Sequence, residues 1–238
     1  MRILLGLVAA LFAGSGVAAC DSAGRCVVGD RHYYIAMPAG HDGTSEVGAI
    51  VFSHGYQGTA KGVMNNRVLR RVANDLGVAL IAVKSVGQDW NLPNGPRNPR
   101  SDGSAEFRYF DAVIADASKK FAIDTDRMMA TGFSAGGMMT WNLLCNRSGS
   151  FAAFAPMAGT FWLKPPKSCD RPVANVLHIH GRTDRTVPLT GRVVGNTRQG
   201  DVREGLAMYA KFGGFKPVGT SRVAAHDFEC ELSRNKAG

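Results

Sequence analysis

The stretch that most restricts how this chain can fold runs from Ile123 to Trp141 and reads I-D-T-D-R-M-M-A-T-G-F-S-A-G-G-M-M-T-W. A short apolar run between Arg127 and Thr131 leads into Gly132-Phe133-Ser134-Ala135-Gly136, and a segment of helical character follows from Met138 to Cys145. That order is strand, tight turn, helix. Glycines flank the serine in such a G-x-S-x-G turn because a strand reversing into a helix leaves almost no room for side chains. The turn holds the Ser134 hydroxyl in the open at the carboxyl end of a sheet, above a helix N-terminus. It also aims the Ala135 N–H at the place where an oxyanion would form. Taken alone the signal is weak, because a chain with 29 glycines can show a plain glycine cluster at a helix start.

With 238 residues, 45% hydrophobic and 20% charged, the chain can bury a substantial core and needs one domain. Residues 1–19 stand apart. Met1-Arg2 gives a positive start, Ile3 to Val17 an apolar run too short and glycine-broken to span a membrane, and Val17-Ala18-Ala19 a small-residue cleavage site. This reads as a secretory signal peptide ahead of a domain at 20–238, in a secreted or periplasmic protein. Val17-Ala18-Ala19-Cys20 also matches a bacterial lipobox, so a lipid anchor on Cys20 is the alternative.

Export makes disulfides the natural use of five cysteines. Cys20 with Cys26 and Cys145 with Cys169 are plausible pairs, leaving Cys230 over; a buried, unpaired Cys145 is the competing reading. A net charge of +9 could point to nucleic acid. However, no basic run with interleaved aromatics, zinc spacing or helix-turn-helix pattern accompanies it, so the charge reads as a solvated surface and no nucleic-acid partner is expected; separately, the chain is expected to be a monomer.

In chain order, Arg31 to Met37 alternates like a strand before Pro38, and Gly48 to Ser53 is a continuous apolar run of the kind buried in a parallel sheet. It delivers His54-Gly55-Tyr56-Gln57-Gly58, where the N–H of Tyr56 is placed to be a second oxyanion donor; an ordinary turn braced by His54 is the bland reading. Asn65 to Leu76 predicts a helix with Val68, Val72 and Leu76 on its apolar face and Gly77 as its stop, and Val78 to Val83 a second buried strand. Strand, helix, strand means a parallel crossover and an α/β domain.

Ser85 to Ser104 reads as a loop over the active face, with Trp90 as a candidate wall of the substrate site or as a loop anchor. Phe107, Phe110, Ile114, Ala117 and Phe121 mark a core-packed helix over 105–121, and Asp111 and Asp116 are assigned no chemistry. Phe151 to Ala158 and Val173 to His180 predict further strands. The latter ends in His180-Gly181-Arg182-Thr183-Asp184, where an aspartate could orient a histidine from the far side. His178 and His180 lack a third ligand at metal spacing, so they read as core or loop-bracing side chains.

With I-D-T-D-R-M-M-A-T-G-F-S-A-G-G, S-H-G-Y-Q-G and H-I-H-G-R-T-D-R-T-V-P in this order, the chain resembles the secreted polyhydroxybutyrate depolymerase and feruloyl or acetylxylan esterase group of α/β-hydrolases, over roughly residues 31–214. The resemblance implies a mostly parallel sheet with helices on both faces. It implies Ser134 as nucleophile, Asp184 as acid, the amides of Tyr56 and Ala135 as oxyanion hole, and no metal or organic cofactor.

Members of this group carry the triad histidine in a glycine-rich G-H-x-x-P type segment. None follows Asp184 here, and His226 is the one histidine beyond it. Either His226 is the base, or the sequence ends ahead of the true histidine, with Asn235-Lys236-Ala237-Gly238 a turn lacking its returning strand and the sheet left with an open edge. The expected substrates are polyesters or aryl and acetyl esters, met by Trp90, Phe161 and Trp162. A peptidase, a dienelactone-type hydrolase and a catalytically silent exported binder of a polymer or partner are the rivals.

Overall fold

The computed structural model describes residues 20–223 and 227–236. The expected signal peptide at 1–19 and the candidate base His226 lie outside the described residues. The elements, in order, are β1 (Cys26–Val28), β2 (Arg31–Ala36), β3 (Val47–Ser53), α1 (Ala60–Asn65), α2 (Arg67–Asp75), β4 (Ala79–Val83), α3 (Ser104–Lys120), β5 (Ile123–Phe133), α4 (Ala135–Asn146), β6 (Ala153–Met157) and β7 (Asn175–Val176). Two small strands, β8 (Val193–Val194) and β9 (Thr197–Arg198), then α5 (Val202–Gly213), β10 (Lys216–Val223) and β11 (Phe228–Arg234) complete the described chain.

Seven strands form one sheet in the order β1-β2-β4-β3-β5-β6-β7. β1 and β2 are antiparallel to their neighbours, and β4, β3, β5, β6 and β7 run parallel. The expected mostly parallel α/β architecture is therefore present. β4 is buried at every position, as an all-apolar strand must be when both faces of a parallel sheet are covered. Alternation along β3 and β4 splits the core: Ala49, Val51, Ile81 and Val83 join a large layer with α3 and α4. Phe52, Leu80 and Ala82 face a smaller one under α1 and α2.

α2 departs from its expected orientation. Val68, Val72 and Leu76 are exposed, while Ala73 is buried and Leu69 partly so. The apolar arc of this helix runs from Val68 through Val72, Leu76 and Leu69 to Ala73. The sheet takes the end of the arc where a small side chain lets the helix come close. Phe133, Leu177 and Ile179 are exposed as well.

Both expected disulfides are formed, Cys20–Cys26 and Cys145–Cys169, and Cys230 is a free, half-buried thiol. The two strand-like stretches near the end of the chain pair as the hairpin β10–β11, from Lys216↔Arg234 to Val223↔Phe228 with a one-residue register shift between Pro217 and Gly219. The hairpin joins no strand of the central sheet; an Arg182–Glu229 ion pair and the Asn235 side chain on the Gly213 carbonyl (3.2 Å) tie it to the body. Among the described residues no helix is long and apolar enough to cross a membrane.

Candidate active site

The strand register brings the sequence motifs to one rim. Ser53 at the end of β3 sits beside Gly132 of β5, Phe133 beside Met157 of β6, and Met157 beside Ile179 on the continuation of β7. In parallel strands aligned at their carboxyl ends, the next residues of each emerge together: His54-Gly55-Tyr56, Ser134, and His180 leading to Asp184. Phe133 and Ile179 are two strand spacings apart, about 10 Å, a width that one imidazole with its two hydrogen bonds can bridge.

Ser134 has φ 56° and ψ −118°, a conformation unfavourable for a residue with a Cβ. Its N–H is held by Met157 O at 2.9 Å, and α4 starts at the next residue. Crowding explains the glycines around it. A Cβ at Gly136 would lie 1.9 Å from Ser53 O, at Gly137 2.4 Å from Met157 O, and at Gly132 2.4 Å from Gly136 O. The Ala135 N–H is the first of the orphan donors of α4. On the other side, the Gly55 Cβ position is 3.6 Å from Ser134 Cβ, so the turn carrying the Tyr56 amide abuts the serine. Gln57 N–H and Gly58 N–H are engaged, by Gln88 O and Gly55 O at 2.8 and 2.9 Å. The Tyr56 N–H has no hydrogen-bond partner among the described residues.

His54 fixes that turn. It is 3% exposed; its Nε2 accepts from Ser85 N–H at 3.3 Å, which leaves Nδ1 to donate to Gly55 O at 2.8 Å. Burial pushes its pKa down, keeping the ring neutral for this pattern. Trp90 completes the brace: its Nε1 donates to His54 O at 2.9 Å and its ring packs on Phe110. At 2% exposure Trp90 anchors the 85–103 loop from below, so its expected place as a wall of the substrate site is corrected. The same holds for Trp162, 8% exposed and bridged to Gln199. Among the described residues, the aromatic side chains open to solvent at this rim are Tyr56 and Phe133, 59% and 55% exposed. A cleft of about 410 Å³ beside them is lined by Phe52, Gly55, Val63, Leu69, Phe133 and Met157.

The loop itself is clamped by an acid that sequence reasoning passed over. Glu106, wholly buried, pairs with Arg31 at 2.5 Å and accepts from Asn91 N–H at 2.8 Å. Its signal was available only as a carboxylate within an otherwise apolar helix face. Asp111 and Asp116 are structural, holding Arg147, and Tyr33 together with Lys120.

Asp184 turns one oxygen inward. Oδ1 accepts from Thr186 N–H and Val187 N–H at 2.8 and 2.9 Å; Oδ2 is 3.8 Å from His180 Nε2, beyond hydrogen-bond range. His180 donates its Nε2–H to Val187 O instead, at 2.7 Å, and its Nδ1 meets His178 Nε2 at 3.0 Å. Among the described residues no histidine hydrogen-bonds Ser134, and no group of three His, Cys, Asp or Glu side chains is arranged to hold a metal.

A sheet-flanked rim of this kind can be compared with solved structures. The acetyl xylan esterase of Aspergillus awamori superposes with a TM-score of 0.64 over 85% of this chain and 84% of its own, at 15% sequence identity. A second neighbour, described as a thermostable esterase, gives 0.51 over 76% of this chain and 48% of its own at 20% identity. The chain has the α/β-hydrolase fold. Residues 86–172 match the model of the prolyl oligopeptidase family.

Sequence relatives include NocK of Nocardia uniformis subsp. tsuyamanensis, an esterase by name only, 32% identical over 140 residues, 58% of this chain and 40% of that one. Feruloyl esterase C of Emericella nidulans is 27% identical over 174 residues, 70% of this chain and 59% of that one. The chain thus spans less than two thirds of these relatives' lengths.

Proposed function

We propose that this protein is a serine carboxylic ester hydrolase that works through an acyl-enzyme on Ser134. The observation that carries this reading is the shared rim: a strained serine at a helix N-terminus, an unpaired Tyr56 amide beside it, and an aspartate on the loop that leaves the same end of the strands. A general base takes the Ser134 proton, the oxygen attacks the ester carbonyl, and the oxyanion sits between the Ala135 and Tyr56 amides. The base gives that proton to the departing alcohol as the ester C–O bond breaks and acyl-Ser134 forms; water, deprotonated by the same base, then attacks the acyl carbon, and the acid leaves as the proton returns to the Ser134 oxygen. Asp184 orients the imidazole through Oδ2 while its own loop holds Oδ1. His226 is the proposed base, the one histidine after Asp184 in the chain order Ser, Asp, His.

The proposed substrates are aryl or acetyl esters or a polyester segment. The names of the relatives support the first two, and the open rings of Tyr56 and Phe133 beside the apolar cleft offer a surface for an aromatic or polyester portion. Export of a domain starting at Cys20 is part of the proposal, supported by the two disulfides.

A fluorophosphonate probe tests the core of this reading. Labelling of Ser134 that disappears in Ser134→Ala, with p-nitrophenyl acetate turnover falling about 10⁴-fold in Asp184→Asn, is the expected result. Unlabelled parent protein with unaltered polymer binding in Ser134→Ala would instead identify an exported binder. Turnover unchanged in His226→Ala removes that histidine from the triad.

A further inference from the structure

Between the nucleophile's helix and the acid loop lie two histidines that the proposed chemistry does not use. Hydrogen-bond polarity fixes their tautomers. The carbonyl of Val187 can only accept, so His180 Nε2, 2.7 Å away, carries the hydrogen. With Nε2 carrying the ring's one hydrogen, His180 Nδ1 is bare and must accept, and the atom facing it at 3.0 Å is His178 Nε2, which then carries a hydrogen as well. Val187 in turn gives its own N–H to Asp184 Oδ1 at 2.9 Å. The result is a directional chain, His178 Nε2–H to His180, His180 Nε2–H to Val187 O, and Val187 N–H to Asp184.

The other end of the chain rests on α4. The His178 ring lies 5.5 Å from that of Trp141, a wholly buried side chain seven residues into the helix that begins after Ser134. The two rings each carry a buried polar atom without a hydrogen-bond partner among the described residues, a donor at Trp141 Nε1 and an acceptor at His178 Nδ1. Burial and the neighbouring His180 push His178 down to about 4, so the ring is neutral at pH 7 and the chain keeps its polarity.

We infer that His178 and His180 are positioning residues, a buried relay that sets the placement of Asp184 relative to Ser134. The inference rests on the proposed ester hydrolysis and extends it to residues that touch neither substrate nor the reacting atoms. Its physical content is that the loop 181–187 is held within itself by the Asp184 carboxylate and from outside by Arg192 on Thr186 O at 2.7 Å, while the histidine pair fixes its Val187 end against the body of the domain. A displacement of about 1 Å in an orienting group costs up to about a hundredfold in rate.

A matched pair of amide variants tests it on the full chain. In His178→Gln the side-chain amide can donate from near the Nε2 position; in His178→Asn it sits near Nδ1 and cannot reach His180. The expected result is a fall in kcat of about tenfold to a hundredfold for p-nitrophenyl acetate in the asparagine variant, with KM within about twofold and recovery in the glutamine variant. Equal activity in both variants and parent, or equal loss in both, overturns the inference. Imidazole ¹⁵N NMR of the parent gives a readout that needs no turnover. Both rings should be neutral Nε2–H tautomers at pH 7, with His180 losing that single state in His178→Asn. An Nδ1–H tautomer on His180 in the parent refutes the relay even if the protein hydrolyses esters. A parent that shows the tautomers but neither labels nor turns over leaves the relay standing and sinks the esterase reading instead.

Discussion

The main-chain N–H of Ser134 donates to the carbonyl oxygen of Met157 at 2.9 Å, so the turn that lifts the serine off β5 is closed against the next strand. That single bond holds a residue with φ 56° in place where an unconstrained serine would relax to negative φ. The same strand then passes its register to Ile179, and through it to the loop of Asp184.

Relief of that strain should be measurable. Ser134→Gly places the residue that tolerates this conformation best, and stability should rise by about 1 kcal/mol, or about 2–4 °C in Tm for a domain of this size, while fluorophosphonate labelling is lost. A lower Tm in a urea- or heat-melting comparison would contradict the strained assignment.

Gly136→Ala should be far costlier than an ordinary surface glycine change. Its Cβ would stand 1.9 Å from Ser53 O, main chain of the adjacent strand, so β3 and α4 must part. A loss above about 3 kcal/mol, or failure to fold, is expected. The control is Gly195→Ala, where φ is 58° but nothing lies within 4 Å, so that backbone conformation alone should cost about 1 kcal/mol.

Glu106→Ala leaves Arg31, 9% exposed at its side chain, without its carboxylate and Asn91 N–H without its acceptor. Removing one member of a buried pair costs about 3–5 kcal/mol, and the loop that carries Trp90 should become the first segment to exchange amide hydrogens. Protection of Asn91 and Trp90 equal to that of the parent would show that the clamp is dispensable.

Acid should weaken the fold through His178. The unfolded ring takes up its proton below about 6.5, the folded one only below about 4, so the unfolded state binds more protons in between. Stability present above pH 6.5 is therefore lost as pH falls toward 4, by on the order of 3 kcal/mol over the window. Urea melts at pH 7 and 4.5 should show His178→Gln with a shallower dependence than the parent; identical slopes would place the titration elsewhere.

Much of this was open to reading from consecutive residues. The elbow, the two buried strands beside it, the disulfide pairs and the aspartate-bearing loop each follow from local requirements: room for a reversal, a run of apolar side chains, nearby cysteines, a glycine-started bend. Trp90, left open between substrate wall and loop anchor, and Trp162 and the Val68–Val72–Leu76 stripe, which were misplaced, share a common reason. An aromatic in a polar loop looks the same in sequence whether it points up at a substrate or down onto Phe110, and periodicity gives the width of an apolar arc without saying which part the sheet will cover.

The sequence by itself determined the strand-turn-helix around Ser134, because the steric demand for Gly132, Gly136 and Gly137 is met within five residues of the serine. Only the tertiary structure decided that Tyr56, Ser134 and Asp184 share one rim, that Trp90 is a brace, and that His178 and His180 link α4 to the acid loop. Those relationships depend on the register of strands distant in the chain, which is set by hydrogen bonds and side-chain packing between segments that no local pattern encodes.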